Sequence, residues 1–471
     1  MLADNVYWKR FFNIIRPSYT PPTRHALSNQ LLDMEFNRVQ GKVQEIIENA
    51  DCISVISDGW SNIRGQGIIN YIICTPKPVF YHITDTTDNR HTGIYIADEI
   101  KKVIIDVGPH KVFALVTDNA ANMKVAWSLV EESYPHITSV GCAAHVLNLL
   151  LKDIMKLKTL DRLYVKAKEV IRYVKGHQAI AALYLRKQGE KHINTTLKLP
   201  SNTRWGGVVL IHIRGIILDD VFWKEILACM YLLKPLLVAI QRIERDDAML
   251  SDVYPLFSDL TEKISTALPN STLSDSEKNI ILKCIEKRED FCLKPIHAAA
   301  CMLDPKYADK RILSDANISK AYDVITNVSR HLGLDEGKVF GSLAKYQSKQ
   351  GIWDGNAIWQ SCKHIPSATW WKGLCGSEAI SRVASIILQI PPTSAASERN
   401  WSLFRNTHTM VRNRLTNKRV EKLVAIRANL KLFEAPNDSS LTKLESDSEG
   451  ESSQCDADEM EDAHEEGIAA C

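Results

Sequence analysis

The sequence contains no Cys-x-x-Cys pair. Its eleven cysteines fall singly, at 52, 74, 142, 229, 284, 292, 301, 362, 375, 455 and 471. That scatter argues against a disulfide framework or a zinc ribbon and for reduced thiols, so no zinc is expected. Residues 1–51 hold no cysteine and one histidine, His25, which leaves no ligand set for a zinc finger there. Long apolar runs are also missing. The apolar stretches are short and broken by charge, none approaching the roughly 18–20 residues of a membrane span. The first residues, MLADNVYWKRFFNIIRP, mix Trp, Lys, Arg and Phe and lack a compact apolar core followed by a small-residue cleavage site. An intracellular chain with no membrane partner is the expectation, and no internal repeat is visible.

What is present is enough apolar matter for more than one core. The chain has 471 residues, of which 45% are hydrophobic, and this suits two or three domains. Its net charge of +2 conceals an asymmetry. Residues 438–471 carry twelve acidic groups and one lysine, which leaves 57 basic and 44 acidic groups in the other 437 residues, a body of +13. A body of that charge is compatible with phosphate backbones, although a diffuse excess also serves solubility. The acidic stretch has too little apolar matter to fold and reads as a disordered tail over 433–471. It can mask the basic body, recruit a basic protein partner, or do nothing specific.

Patterning along the chain changes at residue 51. Residues 1–50 read as an N-terminal helical segment with a Pro-containing connector, RPSYTPPTRHALS (16–28). Three apolar β-like runs follow, CISVISD (52–58), GIINYIICT (67–75) and PVFYHITD (78–85), separated by Gly, Asn and Pro signals. Ile96, Ile100, Val103 and Ile104 then share a helical stripe. A strand over KVFALVTD (111–118), a helix over 119–133, a strand at TSVGC (138–142) and the helix AAHVLNLLLKDIMK complete the order β-β-β-α-β-α-β-α. This is the order of a ribonuclease-H-like mixed α+β sheet, in which the ends of the first and fourth strands lie side by side. Residues 51–177 are therefore read as the first part of such a domain, and 178–376 as a large all-α insertion. Residues 377–432 resume with an apolar helix stopped by Pro391 and Pro392, a second helix capped by Thr393 or Ser394, and a final amphipathic helix.

Three carboxylates stand out in that frame. Asp58 ends the first apolar run, Asp118 ends the fourth, and Glu398 lies in the opening turns of a helix with Trp401 at i+3. A carboxylate at a strand end is held rigidly with its oxygens accessible, which suits a hard divalent cation, Mg²⁺ or Mn²⁺. Such cations can drive phosphodiester cleavage. Each acid alone would equally suit a turn or helix cap; their shared context is what points to one site.

The chain resembles transposases of the hAT superfamily. The stretches that carry the resemblance are RPSYTPPTR (16–24), ISDGWSN (56–62), VTDNAANM (116–123), CAAHVLNL (142–149), NTRW (202–205), CMLDPKY (301–307), SAASERNWS (394–402) and VRNRL (411–415). They run in the family's order over nearly all of residues 1–432.

The resemblance implies a ribonuclease-H-like catalytic domain interrupted by a helical insertion and closed by a C-terminal dimerisation region. It implies that Asp58, Asp118 and Glu398 are the acidic triad that binds Mg²⁺ or Mn²⁺ for cleavage and strand transfer of double-stranded DNA in the nucleus. Cys142 and His145 match a Cys-x-x-His element beside the site. With two potential ligands at helical spacing they are expected to be a packed Cys and a hydrogen-bonding His. Arg204 and Trp205 match an Arg-Trp element, where Trp205 either stacks on a base or anchors two helices. Arg399, Arg412 and Arg414 cluster in sequence around Glu398, either to clamp phosphate or to make salt bridges on a solvated face. Many family members carry an N-terminal BED-type finger, and the resemblance here begins after that region. The reading is a dimerising, hAT-transposase-like protein with metal-dependent DNA cleavage. The alternative is a domesticated nuclear factor that keeps dimerisation and DNA or protein binding without catalysis, or an interaction protein without DNA.

Overall fold

A computed structural model of the protein describes residues 2–61, 65–75, 77–87, 89–190, 220–407 and 415–433. The expected acidic tail lies outside the described residues. At the centre is a five-stranded mixed sheet built from β1 (Ile53–Ser61), β2 (Gly67–Cys74), β3 (Pro78–Asp85), β4 (Val112–Thr117) and β5 (Thr138–Gly141), in the order β3-β2-β1-β4-β5. The β1/β2 and β2/β3 pairs are antiparallel, while β1/β4 and β4/β5 are parallel. The strand series read from the sequence is therefore present, and β1 and β4 are neighbours.

Burial on both faces explains the composition of the strands. All six residues of β4 are buried, as an unbroken apolar run in a parallel strand requires. One face of the sheet presents Ile53, Val55, Ile69, Tyr71, Ile73 and Leu115 to the helices Gly93–Val107 and Ala121–Ser133. The other face puts Ile56, Ile72, Cys74, Ala114, Val116 and Val140 into a core shared with residues from Leu250 to Ile390. Helices from Pro295 onward thus pack directly on the sheet.

The CMLDPKY stretch forms a structural joint in that core. Asp304 is fully buried and accepts hydrogen bonds from Ser251 Oγ at 2.6 Å, Ser367 Oγ at 2.7 Å and the Lys306 N–H at 2.9 Å, tying three separate segments together. Trp371 donates its indole N–H to the Leu303 carbonyl at 2.7 Å beside the buried rings of Tyr346, Trp353 and Trp370. A second helical core joins Ala143–Met155 and Lys158–Gly176 to Asp220–Ile243, Val253–Ala267 and Asp275–Cys292. One expectation needs correction here. The helix Asp220–Ile243 is long and apolar enough to cross a membrane by length and composition, despite the charges that break it in sequence. Its buried face, including Phe222, Leu232, Leu236 and Ile243, lies within this helical core.

The edge strand β3 is covered by the last helix, Asn417–Phe433. Asn429 is fully buried on it and makes a two-way bond with the β3 backbone. It accepts the Phe80 N–H and donates to the Phe80 carbonyl, both at 2.9 Å. Glu421 accepts the Ile83 N–H at 3.2 Å. These side chains satisfy backbone groups that an edge strand otherwise leaves open for pairing with another chain. Val420, Val424 and Ala425 pack beside them against Ile68, Phe80 and Ile83. Leu423, on the opposite side of the helix, is 36% exposed.

Asn429→Leu is expected to destabilise the protein by about 1–3 kcal/mol for each buried backbone group left unpaired. Chemical denaturation measures this, and a variant as stable as the wild type would show that the two bonds carry no weight.

Candidate active site

Asp58 lies near the end of β1 with its side chain on the sheet face that receives the helix Ala395–Thr407. Trp401 of that helix donates its indole N–H to Asp58 Oδ2 at 2.7 Å. The same indole stacks on Trp60, with centroids 5.2 Å apart and planes 27° apart, and meets Phe404 at 5.3 Å. This contact brings together residues 343 positions apart in the chain.

Asp118 directly follows β4, and the side chains of Thr117, Asp118 and Asn119 fix its loop. Asp118 Oδ1 accepts the Ala120 N–H at 3.1 Å, so it does form the local turn that the simplest reading of the sequence allowed. Thr117 Oγ1 donates to the Asp118 carbonyl at 2.7 Å and accepts the Trp127 indole N–H at 2.9 Å. Asn119 packs against Gly141 at the end of β5 and donates to the Cys142 carbonyl at 3.2 Å. A Cβ on Gly141 would lie 1.9 Å from Asn119 Oδ1, so any other residue there would displace the loop that carries Asp118.

Glu398 is exposed in the first turn of its helix, where a negative charge is favoured by the helix dipole. Thr393 supplies the cap, its Oγ1 accepting the Ala395 N–H at 3.3 Å. The segment before the helix is tied to the sheet domain at Cys142. The Ala143 N–H donates to the Pro392 carbonyl at 3.1 Å, and the Ser394 N–H donates to Cys142 Sγ at 3.4 Å. Cys142 is thus a fully buried packing residue whose thiol is pushed up by burial. His145 is half-buried; burial holds its imidazole below the ordinary range, Asp118 pulls it up and Arg288 pushes it down. Among the described residues no hydrogen bond of its ring is seen.

The charges of the other two acids are felt at Asp58. Burial raises its carboxyl to about 7, the Trp401 hydrogen bond opposes the rise, and the negative charges of Asp118 and Glu398 both add to it. Among the described residues, no three His, Cys, Asp or Glu side chains are close enough to form a ready-made metal cage. The donor set nonetheless fits Mg²⁺ or Mn²⁺: all donors are carboxylate oxygens, and Mg²⁺ commonly keeps several waters and takes one or two protein carboxylates.

Among the described residues, buried polar side chains near these acids also lack hydrogen-bond partners. Asn70, opposite Asp58 on β2, is fully buried with neither Oδ1 nor Nδ2 hydrogen-bonded. Ser397, beside Glu398, has a fully buried and unpaired Oγ. Leaving such a group unsatisfied costs about 1–3 kcal/mol.

Arg399 pairs with Asp246 at 2.7 Å, both side chains being largely solvated. It borders an open cleft of about 150 Å³ lined by Glu244, Ala395, Glu398 and Ser402. Arg204, Trp205, Arg412 and Arg414 lie outside the described residues. Trp401, Asn70 and the Asp246 partner of Arg399 were not assigned to the site from sequence. Only Trp401 had a signal, its i+3 spacing from Glu398.

A raised Asp58 gives a signed pH dependence. In the unfolded chain the carboxyl ionises near the ordinary aspartate value of about 3.9. Between that value and about 7 the folded state holds the extra proton, so metal-free stability falls as pH rises through this window. Asp58→Asn removes the term while keeping an acceptor for Trp401. Its melting temperature is expected to match wild type near pH 4 and exceed it at pH 8; a pH-independent difference would contradict the assignment.

Comparison with known families divides the chain in two. Residues 22–170 match a domain of unknown function, DUF659, and residues 342–430 match the hAT family C-terminal dimerisation region. A search of curated proteins finds no match. The first match spans the sheet with Asp58 and Asp118; the second spans the helices that bring Glu398, Trp401 and Asn429 onto it. Together the two matches support a hAT-family transposase-like protein, and the C-terminal one supports self-association.

Proposed function

We propose that the chain is a nuclear, ribonuclease-H-like DNA-processing protein that works as a homodimer and cleaves and joins double-stranded DNA at a Mg²⁺ or Mn²⁺ site. The strand order β3-β2-β1-β4-β5, with Asp118 just past the end of β4 and Asp58 within the adjacent parallel strand β1, supports the fold assignment. The observation that carries the function is the convergence on Asp58. Two acids from distant parts of the sequence act on its carboxyl, and Trp401 holds it in place.

Asp58, Asp118 and Glu398 would hold the cation, which when bound supplies Lewis acidity toward a phosphodiester. Trp401 orients Asp58 through Oδ2 and, with Trp60 and Phe404, shields that side of the carboxylate from water. Arg399 offers a guanidinium to a phosphate oxygen. Its ion pair with the solvated Asp246 is of the weak surface kind and exchanges readily for a charge-assisted bond to phosphate. The excess positive charge of the body outside residues 438–471 draws DNA toward the site, and the acidic tail screens that charge or recruits a basic protein.

A second reading is favoured by one observation: the described residues contain no preassembled three-ligand cluster. On that reading the chain is a domesticated factor that dimerises and binds DNA or protein without cutting.

The deciding experiment is nicking and strand transfer of labelled duplex DNA by the full chain in Mg²⁺ or Mn²⁺. Asp58→Asn, Asp118→Asn and Glu398→Gln are each expected to bring product below detection while leaving folding and self-association intact. Undiminished cleavage in any of the three would remove that residue from the site. DNA binding without product in the wild type would select the second reading.

A further inference from the structure

Asn70 stands directly opposite Asp58 in the antiparallel β1/β2 ladder, so the two side chains rise from the same face of the sheet as close neighbours. Its same-face neighbours along β2 are Ile68 and Ile72, both buried. In that row an aliphatic side chain would fill the space without any polar cost. The carboxamide instead offers two donors and one acceptor and is fully buried, with both ends unpaired. The helix laid over this part of the sheet adds a second unpaired group of the same kind, Ser397 Oγ, on the buried face that also carries Trp401. Asp58 has acceptor capacity beyond the bond that Oδ2 receives from Trp401, because a carboxylate can take about four hydrogen bonds.

We propose that Asn70 is a positioning residue for the cation site, donating its amide N–H to the Asp58 carboxylate when that carboxylate ligates the metal and so fixing its orientation. The inference rests on the reading of the three acids as a metal site. Carboxylates that bind metals are themselves commonly hydrogen-bonded, and removing such a partner typically weakens metal affinity by about 10–100-fold. Trp401 would hold one side of Asp58 from the helix and Asn70 would hold it from the sheet, leaving its remaining lone pairs directed by two fixed donors. An amide kept for this purpose gives nothing to the stability of the metal-free fold, and this separates the proposal from a packing role.

The test is Mn²⁺ binding to the full chain, followed by electron paramagnetic resonance in the absence of DNA, together with the melting temperature of the metal-free protein. Asn70→Leu is expected to weaken Mn²⁺ binding at least about tenfold while its metal-free melting temperature stays equal to or above that of wild type. Wild-type Mn²⁺ affinity in Asn70→Leu would overturn the proposal, whatever the melting temperature. Should the leucine variant fail to fold, Asn70→Ala is read in the same way. Asp58→Asn separates the two levels of the argument. Binding lost in Asp58→Asn but unchanged in the Asn70 variants refutes the role of Asn70 alone. No Mn²⁺ binding by wild type, or binding unaffected by Asp58→Asn, refutes the metal site and the inference with it.

Discussion

Everything at the candidate site depends on how a half-buried carboxylate on β1 is made tolerable. Asp58 is half-buried and lies within the fields of two other acids, so its charged form is disfavoured. A lone carboxylate in that position would simply remain protonated. The indole N–H of Trp401 opposes this by donating to Oδ2, and it can do so only because the helix Ala395–Thr407 is laid across β1 and β2. That helix is in turn held at both ends of its segment. Pro392 and Ser394 are bonded to Ala143 and Cys142 before it, and the following helix is clamped to the edge strand through Asn429 and Glu421. The site is therefore a property of chain closure: the N-terminal half supplies two acids on a rigid sheet, and the C-terminal segment brings the third together with the donor that steadies the first.

This arrangement gives the matched dimerisation region two tasks within one chain. Val420, Val424 and Asn429 of its last helix are buried against the chain's own sheet, while Leu423 and Arg427 face outward. Covering β3 with side chains that pair its backbone prevents uncontrolled edge-to-edge association, which is compatible with assembly through a chosen surface.

Much of this was legible in the sequence because it is local. Apolar runs of strand length, bounded by Gly, Asn and Pro, marked all five strands, and their order placed Asp58 beside Asp118. Pro391 and Pro392 marked the break before the Glu398 helix. What could not be read is set by partners hundreds of residues away. Asn429 in a helix and Asn70 in a strand look like ordinary polar interruptions until burial shows that one bonds β3 and the other faces Asp58. Trp401 was visible as an aromatic neighbour of Glu398, but its nitrogen's partner was not. Arg399 carried the right charge for phosphate, and only the fold reveals that it is engaged by Asp246. His145 has the spacing of a ligand, and only the fold reveals that burial lowers its imidazole while Asp118 and Arg288 act on it in opposite directions.

The central claim is that Asp58, Asp118 and Glu398 form one divalent-cation site steadied by Trp401. Anomalous diffraction from crystals of the full chain grown with Mn²⁺ tests it directly. The account predicts an anomalous peak ligated by Asp58 and Asp118, with Glu398 facing it and Trp401 still bonded to Asp58. A well-ordered structure with Mn²⁺ absent from these acids, or bound elsewhere, would contradict it.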